Sequence, residues 1–239
     1  VFDDEKNFSG IVIALDDLSK INKVKSTFKK YVSKNIVDKL LESEDSLNLG
    51  GTESDVTILF SDIRGFTSMS EKLSPTQIVK LLNKYFQSMI NVVFKYNGTL
   101  DKIVGDELMV LYGVPLKNPE DTENSVKTAI EMFVQLDKFN ERIVKDGFKP
   151  FKIGIGINKG KAVSGNIGSE QQMNYTVIGD TINLGARLCS SAKSGEILIS
   201  RAVKENISDK YDFKQVPSIE VKGKAKPIDI WLYKHKKKS

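Results

Sequence analysis

The chain has 239 residues, 40% of them hydrophobic, which is enough for one full-sized core. Lys and Arg number 36 against 31 Asp and Glu, and this modest formal charge of +5 does not predict nucleic-acid binding. A single Cys189 and a single His235 exclude an internal disulfide and a Cys/His zinc cage. We expect His235 to lie in a disordered Lys-rich tail, which leaves no imidazole for Ser-His or Cys-His catalysis. The chemistry then falls to carboxylates, metals, Lys, Arg and hydroxyls, and a reducing, cytoplasmic setting fits.

The first residues carry no signal of targeting. The chain opens on Val, without a basic segment followed by a long apolar core, so we interpret it as part of a longer protein. The longest early apolar run, residues 10–15, is far below the roughly 20 residues that cross a bilayer. We therefore expect no membrane insertion by these residues, whether the parent protein is soluble or membrane-attached.

Three segments are predicted along the chain. Residues 1–17 contain one apolar strand and are interpreted as the remnant of an upstream sensor domain. Residues 18–54 form a helical connector and linker, because apolar residues recur every three or four positions through Leu40. Such a helix either dimerises or packs on its own domain, and the narrow apolar stripe is compatible with both. Residues 55–239 form the main domain.

Short strands and longer helices alternate irregularly in the main domain. Ser74-Pro75-Thr76-Gln77 is typical of a capped helix start, and Asn97-Gly98 ends that helix. The predicted strands are 56–60, 100–104, 108–112, 151–157, 162–167, 175–178 and 197–199. The predicted helices follow Ser74, Asn118 and Thr181. A short helix and a terminal hairpin over 219–233, which turns near 222–224, complete the chain. This order predicts an α+β fold, a ferredoxin-like sandwich with a mixed, mainly antiparallel sheet.

Two acidic residues stand where strands reverse. Asp62 follows the buried strand 56–60, and Gly65 after it allows close backbone approach. Asp106 lies in the turn between two short strands. Mg²⁺ prefers one or two carboxylates together with phosphate oxygens, so this pair predicts a site for two divalent ions and a polyphosphate. Taken alone, each acid would be interpreted as a turn or capping residue.

Two polar residues share a helix face. Asn183 and Arg187 are four positions apart and therefore point the same way. An amide and a fork-shaped cation on one face can fix a ribose and stabilise an oxyanion. Considered without Asn183, Arg187 is equally well explained as a partner in a surface ion pair.

Three ordered blocks identify a family resemblance. Residues 60–67 (FSDIRGFT), 102–106 (KIVGD) and 174–187 (NYTVIGDTINLGAR) resemble the signature blocks of the class III adenylate/guanylate cyclases. The likeness runs from about residue 55 to 233 and includes the Lys-Gly…Pro hairpin at 222–227. Gly154 departs from the family, because some members carry a basic residue there. Residues 1–41 more weakly resemble the end of a PAS sensor and its connector.

The resemblance implies roles for individual residues. Asp62 and Asp106, with Ile63, would be the metal ligands for two Mg²⁺ or Mn²⁺. Asn183 would orient the ribose, and Arg187 would stabilise the transition state. The residues that would bind substrate are Lys102, Thr176, Ile63, Gly65, Phe66 and Thr67. The family shares each site between two chains, so a homodimer is implied, with ATP as the substrate and an upstream sensor as the regulator.

The pair that reads the base bears on the choice of nucleotide. Lys102 with Thr176 resembles the Lys/Thr subclass of adenylate cyclases, whereas guanylate cyclases typically carry Glu with Cys. A Lys ammonium only donates, which suits adenine N1 and opposes the N1–H of guanine, and a Thr hydroxyl can accept from the adenine amino group. A facing pair of donors costs about 1–3 kcal/mol, so we expect ATP to be preferred by about 10–100-fold.

The sequence has three alternative interpretations. A guanylate cyclase and a catalytically silent nucleotide-binding module share the fold, and only turnover separates them from an adenylate cyclase. A diguanylate cyclase is rejected, because residues 105–108 (GDEL) lack the preceding Gly and the final Phe of that hairpin signature. Lys102 and the Asn183/Arg187 helix also have no place there.

Overall fold

The computed structural model describes residue 36, residues 48–220 and residues 227–235. Several predicted segments lie outside this part: the sensor remnant, residues 18–47 of the connector and linker except Ile36, the hairpin turn near 222–224 and the last four residues. The strands are β1 (Gly50–Ile63), β2 (Thr99–Val104), β3 (Glu107–Tyr112), β4 (Ile153–Ser169), β5 (Gln172–Ile178), β6 (Glu196–Ser200), β7 (Lys214–Ile219) and β8 (Ile228–Lys234). Among the described residues from 48 onward, the helices are α1 (Phe66–Ser70), α2 (Pro75–Lys95), α3 (Asp121–Lys145), α4 (Asp180–Ser191) and α5 (Arg201–Lys204).

The described strands form one mixed sheet in the order β2-β3-β1-β4-β6-β8-β7, with β5 added to β4. Its pairs are antiparallel except for β4 with β6. Helices cover both faces. The α+β prediction with a mixed, mainly antiparallel sheet is therefore confirmed.

Strand β1 divides the core into two layers. Leu59 belongs to the larger apolar cluster, which α2 and α3 cover, whereas Ile58 and Phe60 belong to a second cluster with Cys189 of α4. This is the expected result of side chains alternating across a strand. The sheet is thus the rigid middle layer of a sandwich, and the ends of its central strands are held firmly in place.

Strands β1 and β4 are longer than the sequence predicts. Strand β1 begins at Gly50, inside the predicted linker, and β4 runs without a break where two strands were expected. The two strands pair over fourteen positions, from Gly50 opposite Asn166 to Ile63 opposite Ile153. Cross-strand hydrogen bonds compensate for the polar and glycine residues that suggested a loop at 158–161.

Helix α2 begins as the sequence predicts. The Ser74 hydroxyl accepts from the backbone N–H of Gln77, and the Gln77 side chain accepts from the backbone N–H of Ser74. Asn97, just beyond the end of the helix, has a positive φ of 58°. Within the described ranges, no helix combines the length and the apolar character that crossing a bilayer requires.

The expectation that His235 lies in a disordered tail is wrong. The His235 ring stacks on Phe133 with 5.0 Å between centroids, and Nε2 lies 2.9 Å from the Asp137 carboxylate. Its backbone N–H donates to the Gly195 carbonyl at 2.8 Å. Aromatic stacking and a carboxylate partner hold this residue against α3, a tertiary contact that the surrounding Lys residues conceal in the sequence.

Candidate active site

The first predicted site segment is the end of β1. The chain leaves the sheet after Ile63, and Gly65, with a φ of 73°, turns it into the short helix α1. The Arg64 backbone N–H still donates to the Lys152 carbonyl at 2.7 Å, so the turn starts from a fixed point. Asp62 thereby lies at the rim of the sheet, with its side chain partly exposed. Of the residues after the turn, Phe66 packs against the larger core cluster and Thr67 is exposed.

Asp106 lies beside Asp62. It occupies the turn between β2 and β3, where Gly105 has a φ of 63°. Because β3 pairs with β1, with Leu108 opposite Ser61, the turn reaches the end of β1. Burial, together with the charge and the hydrogen bond of Asp62, raises the pKa of Asp106 to about 6, while a backbone hydrogen bond with Ile63 opposes that rise. The structure thus brings the two acidic residues among the predicted metal ligands into one acidic cluster, Asp62 with Asp106.

The acidic cluster fits a divalent cation. Two carboxylates close enough to share a hydrogen bond repel each other when both are ionised, and a bound cation removes that repulsion. Burial, followed by the charges of Asp62 and Asp106, also raises the pKa of the neighbouring Glu107. Among the described residues, no group of three or more His, Cys, Asp or Glu side chains is arranged to hold a metal ion. A cation at this pair would therefore need further oxygen ligands from phosphate or water.

Sequence reasoning missed the partner of Asp62. Arg64 Nη1 donates to Asp62 Oδ2 at 2.8 Å, and Nη2 donates to the backbone carbonyl of Cys189 in α4. The guanidinium thus fixes the Asp62 carboxylate relative to α4. Burial raises the pKa of the Cys189 thiol to about 12, so this thiol is unreactive and serves as a packing group.

The predicted base-reading residues also meet. Lys102 Nζ of β2 lies 3.3 Å from Thr176 Oγ1 of β5. Both contact a residue that sequence reasoning did not select, because Asp101 Oδ2 accepts from Thr176 Oγ1 at 3.2 Å and lies 3.1 Å from Lys102 Nζ. Burial raises the pKa of Asp101, and the Lys102 ammonium opposes that rise. We call Asp101, Lys102 and Thr176 the amine cluster.

Asn183 and Arg187 lie one turn apart on α4. This helix starts after Gly179 and packs across β4 and β1 on the face of the sheet opposite α2 and α3. Asn183 is exposed, and Arg187 is partly buried. The described residues therefore present three polar groups: the acidic cluster, the amine cluster and the Asn183/Arg187 face of α4.

Comparison with known proteins identifies the domain. A model of the family described as "Adenylate and Guanylate cyclase catalytic domain" matches residues 51–234. The chain belongs to this cyclase family. The match includes all the residues of the acidic cluster, the amine cluster and the Asn183/Arg187 pair, and it confirms the resemblance that the three motifs indicated.

Individual cyclases of both specificities resemble this domain. A solved guanylyl cyclase, Cya2, is 39% identical, with a TM-score of 0.74, covering 77% of this chain and 93% of that chain. A solved adenylyl cyclase, CyaB of P. aeruginosa, is 36% identical, with a TM-score of 0.76. The match covers 79% of this chain and 98% of CyaB. Adenylate cyclase 1 of Rhizobium meliloti is 31% identical over 86% of this chain. The matched region spans only 31% of the length of that protein. Overall likeness therefore does not select the nucleotide.

Proposed function

We propose that this cyclase domain converts ATP into 3′,5′-cyclic AMP and pyrophosphate, as a homodimer whose two active sites are shared between chains. The observation that carries the proposal is the contact between Lys102 and Thr176, 3.3 Å apart. These two side chains offer one hydrogen-bond donor and one acceptor at neighbouring points, which is the pattern that the adenine edge requires.

The choice of base follows from the hydrogen-bond inventory. Adenine presents an acceptor at N1 and a donor at its amino group, whereas guanine presents a donor at N1 and an acceptor at O6. The Lys102 ammonium only donates, so it suits adenine N1 and would face the guanine N1–H without a partner. Such a mismatch costs about 1–3 kcal/mol, which corresponds to a preference for ATP of about 10–100-fold.

The acidic cluster would hold the divalent ions. Asp62 and Asp106 are the proposed ligands, with the Ile63 backbone as a third. Ions bound there would activate the attacking 3′-hydroxyl and neutralise the triphosphate. The protein contributes fixed positions: Arg64 holds the Asp62 carboxylate at 2.8 Å, and Gly105 lets the turn place Asp106 opposite it. Backbone N–H groups around Gly65, Phe66 and Thr67 are proposed to donate to phosphate oxygens.

Helix α4 would serve the ribose and the α-phosphate. Asn183 is proposed to orient the ribose, and Arg187 to stabilise the negative charge that develops on the α-phosphate in the transition state. The packing of α4 on two central strands supports these roles, because a donor fixed before the reaction stabilises charge without reorganisation.

A homodimer is supported by the surroundings of the amine cluster. Four exposed apolar side chains lie on the same two strands, β2 and β5, as Lys102 and Thr176: Ile103, Val104, Met173 and Ile178, with Val104 58% and Ile178 53% exposed. Exposed apolar residues grouped around polar ones are typical of a protein interface. The resemblance implies that a second copy covers this surface and brings its acidic cluster opposite the amine cluster.

A turnover assay tests the proposal. Purified protein is incubated with ATP or GTP, in Mg²⁺ and separately in Mn²⁺, and products are identified by chromatography. We expect cyclic AMP and pyrophosphate, with little cyclic GMP. The likeness to Cya2 makes a guanylate cyclase the second candidate, and cyclic GMP as the main product would establish it in place of our proposal. Nucleotide binding without turnover would instead support a silent regulatory module.

A further inference from the structure

A β-bulge in β2 places Asp101 in the amine cluster. Leu100 lies opposite Val110 and Lys102 lies opposite Met109, so one extra residue, Asp101, stands between two successive pairs. Neighbouring residues of a regular strand point to opposite faces, but a bulge re-aims its side chains. Asp101 and Lys102 can therefore both reach Thr176.

The Asp101 side chain is sequestered. Only 1% of it is exposed, against 47% of Lys102. Oδ2 is shared between the Thr176 hydroxyl and the Lys102 ammonium, while Oδ1 is buried and makes no hydrogen bond within the described residues. A buried oxygen without a partner costs stability. Packing alone therefore does not explain why this position is an aspartate.

The contacts of Asp101 fix which way the Thr176 hydroxyl points. A Thr hydroxyl has one proton to donate and two lone pairs that accept. The proton is donated to Asp101 Oδ2, and Lys102 Nζ at 3.3 Å uses one lone pair. A single lone pair remains, so toward the nucleotide this hydroxyl only accepts. Without Asp101 the hydroxyl would be free to rotate and to donate.

The same contacts leave Lys102 with one free N–H. Of its three donors, one is directed to Asp101 and one to Thr176, and the third is available to the base. The cluster as a whole therefore offers one donor and one acceptor, which matches N1 and the amino group of adenine. A rotated Thr176 hydroxyl would instead suit guanine O6.

We propose that Asp101 is a positioning residue for base specificity: by accepting a hydrogen bond from the Thr176 hydroxyl, it leaves that hydroxyl able only to accept from the base, which favours adenine over guanine. The inference rests on the proposed ATP specificity and on Lys102 and Thr176 facing the base. It adds a buried third residue to the recognition of the nucleotide.

Asp101→Leu and Asp101→Asn separate this role from a structural one. Leu has the same branched shape and no acceptor, so we expect the ATP-over-GTP ratio of kcat/KM to fall about tenfold. In Asp101→Asn the Lys102 ammonium holds the amide oxygen at the Oδ2 position, so Thr176 still donates to it. The Asn variant should therefore keep a ratio within about threefold of the wild type, although its buried amide nitrogen lowers stability. Asp101→Ala replaces the Leu variant if the latter does not fold.

A double-mutant cycle and a distant control complete the test. In a Thr176→Val background there is no hydroxyl to orient, so Asp101→Leu should not change the ratio further. Asp121→Asn is the matched control, because Asp121 is also buried and accepts the Asn118 backbone N–H at 2.7 Å in another part of the molecule. It should lower the melting temperature and leave the ratio unchanged.

The outcomes distinguish this inference from the function on which it rests. A folded Asp101→Leu protein with the wild-type ratio, or an effect that persists without the Thr176 hydroxyl, would overturn the role of Asp101 alone. Binding of fluorescent ATP and GTP analogues provides a second ratio, independent of turnover. A wild-type protein that shows no preference for ATP by either measure would overturn the proposed function and this inference together.

Discussion

The Arg64 guanidinium lies against the Cα of Gly154, in space that any side chain at position 154 would need. A Cβ added to Gly154 would clash with the guanidinium and lie 2.7 Å from the Ala192 carbonyl oxygen. Arg64 in turn donates to Asp62 at 2.8 Å. The position at which some cyclases carry a basic residue is thus filled here by an arginine that directly follows the neighbouring strand, and this arginine holds a proposed metal ligand.

Gly154→Ala should therefore impair the acidic cluster without touching it. The added methyl group displaces Arg64, which releases Asp62, and overpacking at such a site costs about 1–3 kcal/mol of stability. We expect kcat to fall about tenfold, the scale on which misplacing a catalytic group by less than 1 Å acts.

Arg64→Met provides the comparison for Gly154→Ala. It has no guanidinium to displace, so adding Gly154→Ala to it should cause little further loss of kcat, while the contact with the Ala192 carbonyl oxygen still lowers stability. If the losses of kcat in the two single variants add in the double variant, or if Gly154→Ala keeps full activity, then Gly154 does not act on Asp62 through Arg64.

The sharing of sites between chains is tested by mixing two inactive proteins. Asp62→Asn lacks a metal ligand and Lys102→Glu lacks the base donor, so each homodimer should be nearly inactive. A mixed dimer has one intact site of two, and random exchange makes half of the dimers mixed, so we expect about a quarter of wild-type activity. The measurement is cyclic AMP formation after mixing, with subunit exchange verified by tagged copies. Exchange without recovery would place both groups in the same chain's site.

Thermal stability should depend on pH through Asp106. Its pKa in the folded protein, about 6, lies above the ordinary value of 3.8, so the folded state binds the proton more tightly than the unfolded state. Stability is therefore lost as the pH rises from 3.8 to about 6, and the loss is complete above that value. Without divalent ions at pH 7.5, Asp106→Asn should raise stability by about 1 kcal/mol after allowance for solvent screening, or about 2–4 °C.

Two comparisons check the origin of that gain. The advantage of Asp106→Asn should disappear below pH 4, where the wild-type carboxyl is protonated. Asp209→Asn removes a carboxylate whose pKa the Lys204 ammonium lowers, so it should give no gain at pH 7.5. An Asp106→Asn protein no more stable than the wild type in EDTA would show that neither burial nor the Asp62 charge destabilises the Asp106 carboxylate.

Local signals made the acidic cluster predictable from the sequence. These signals each depend on only a few neighbouring residues: an apolar strand that ends at Asp62, a glycine turn at Gly105 and the capping residues of α2. The structure contains all three. The Lys102–Thr176 contact joins residues 74 positions apart, and only the family resemblance indicated that they belong together.

The remaining features depend on tertiary structure. Asp101 joins the amine cluster because of a bulge that no residue pattern at 100–102 reveals. The order of His235 depends on Phe133 and Asp137, about a hundred positions earlier. Arg64 can fill the space beside Gly154 only because β1 pairs with β4 at that point, with Asp62 opposite Gly154.

A change of nucleotide specificity should require three substitutions. Lys102→Glu with Thr176→Cys gives the pair typical of guanylate cyclases, and we expect it to raise the GTP:ATP ratio of kcat/KM. However, Glu at position 102 would lie beside the buried Asp101 carboxylate, which now contacts the Lys102 ammonium at 3.1 Å. Two carboxylates in that space repel, so one of them should take up a proton and the recognition of guanine N1–H should be weakened.

Adding Asp101→Asn should complete the change. The amide can turn its N–H₂ group toward the new carboxylate, which keeps that carboxylate ionised and able to accept from guanine N1–H. We expect the triple variant to exceed the double variant in GTP:ATP ratio by about tenfold, measured by cyclic GMP and cyclic AMP formation at equal metal concentration. Asp101→Asn alone provides the control, since beside Lys102 the amide presents its oxygen and ATP remains preferred. A double variant already as selective as the triple variant would mean that Asp101 does not act on residue 102, and the repulsion argued here would be absent.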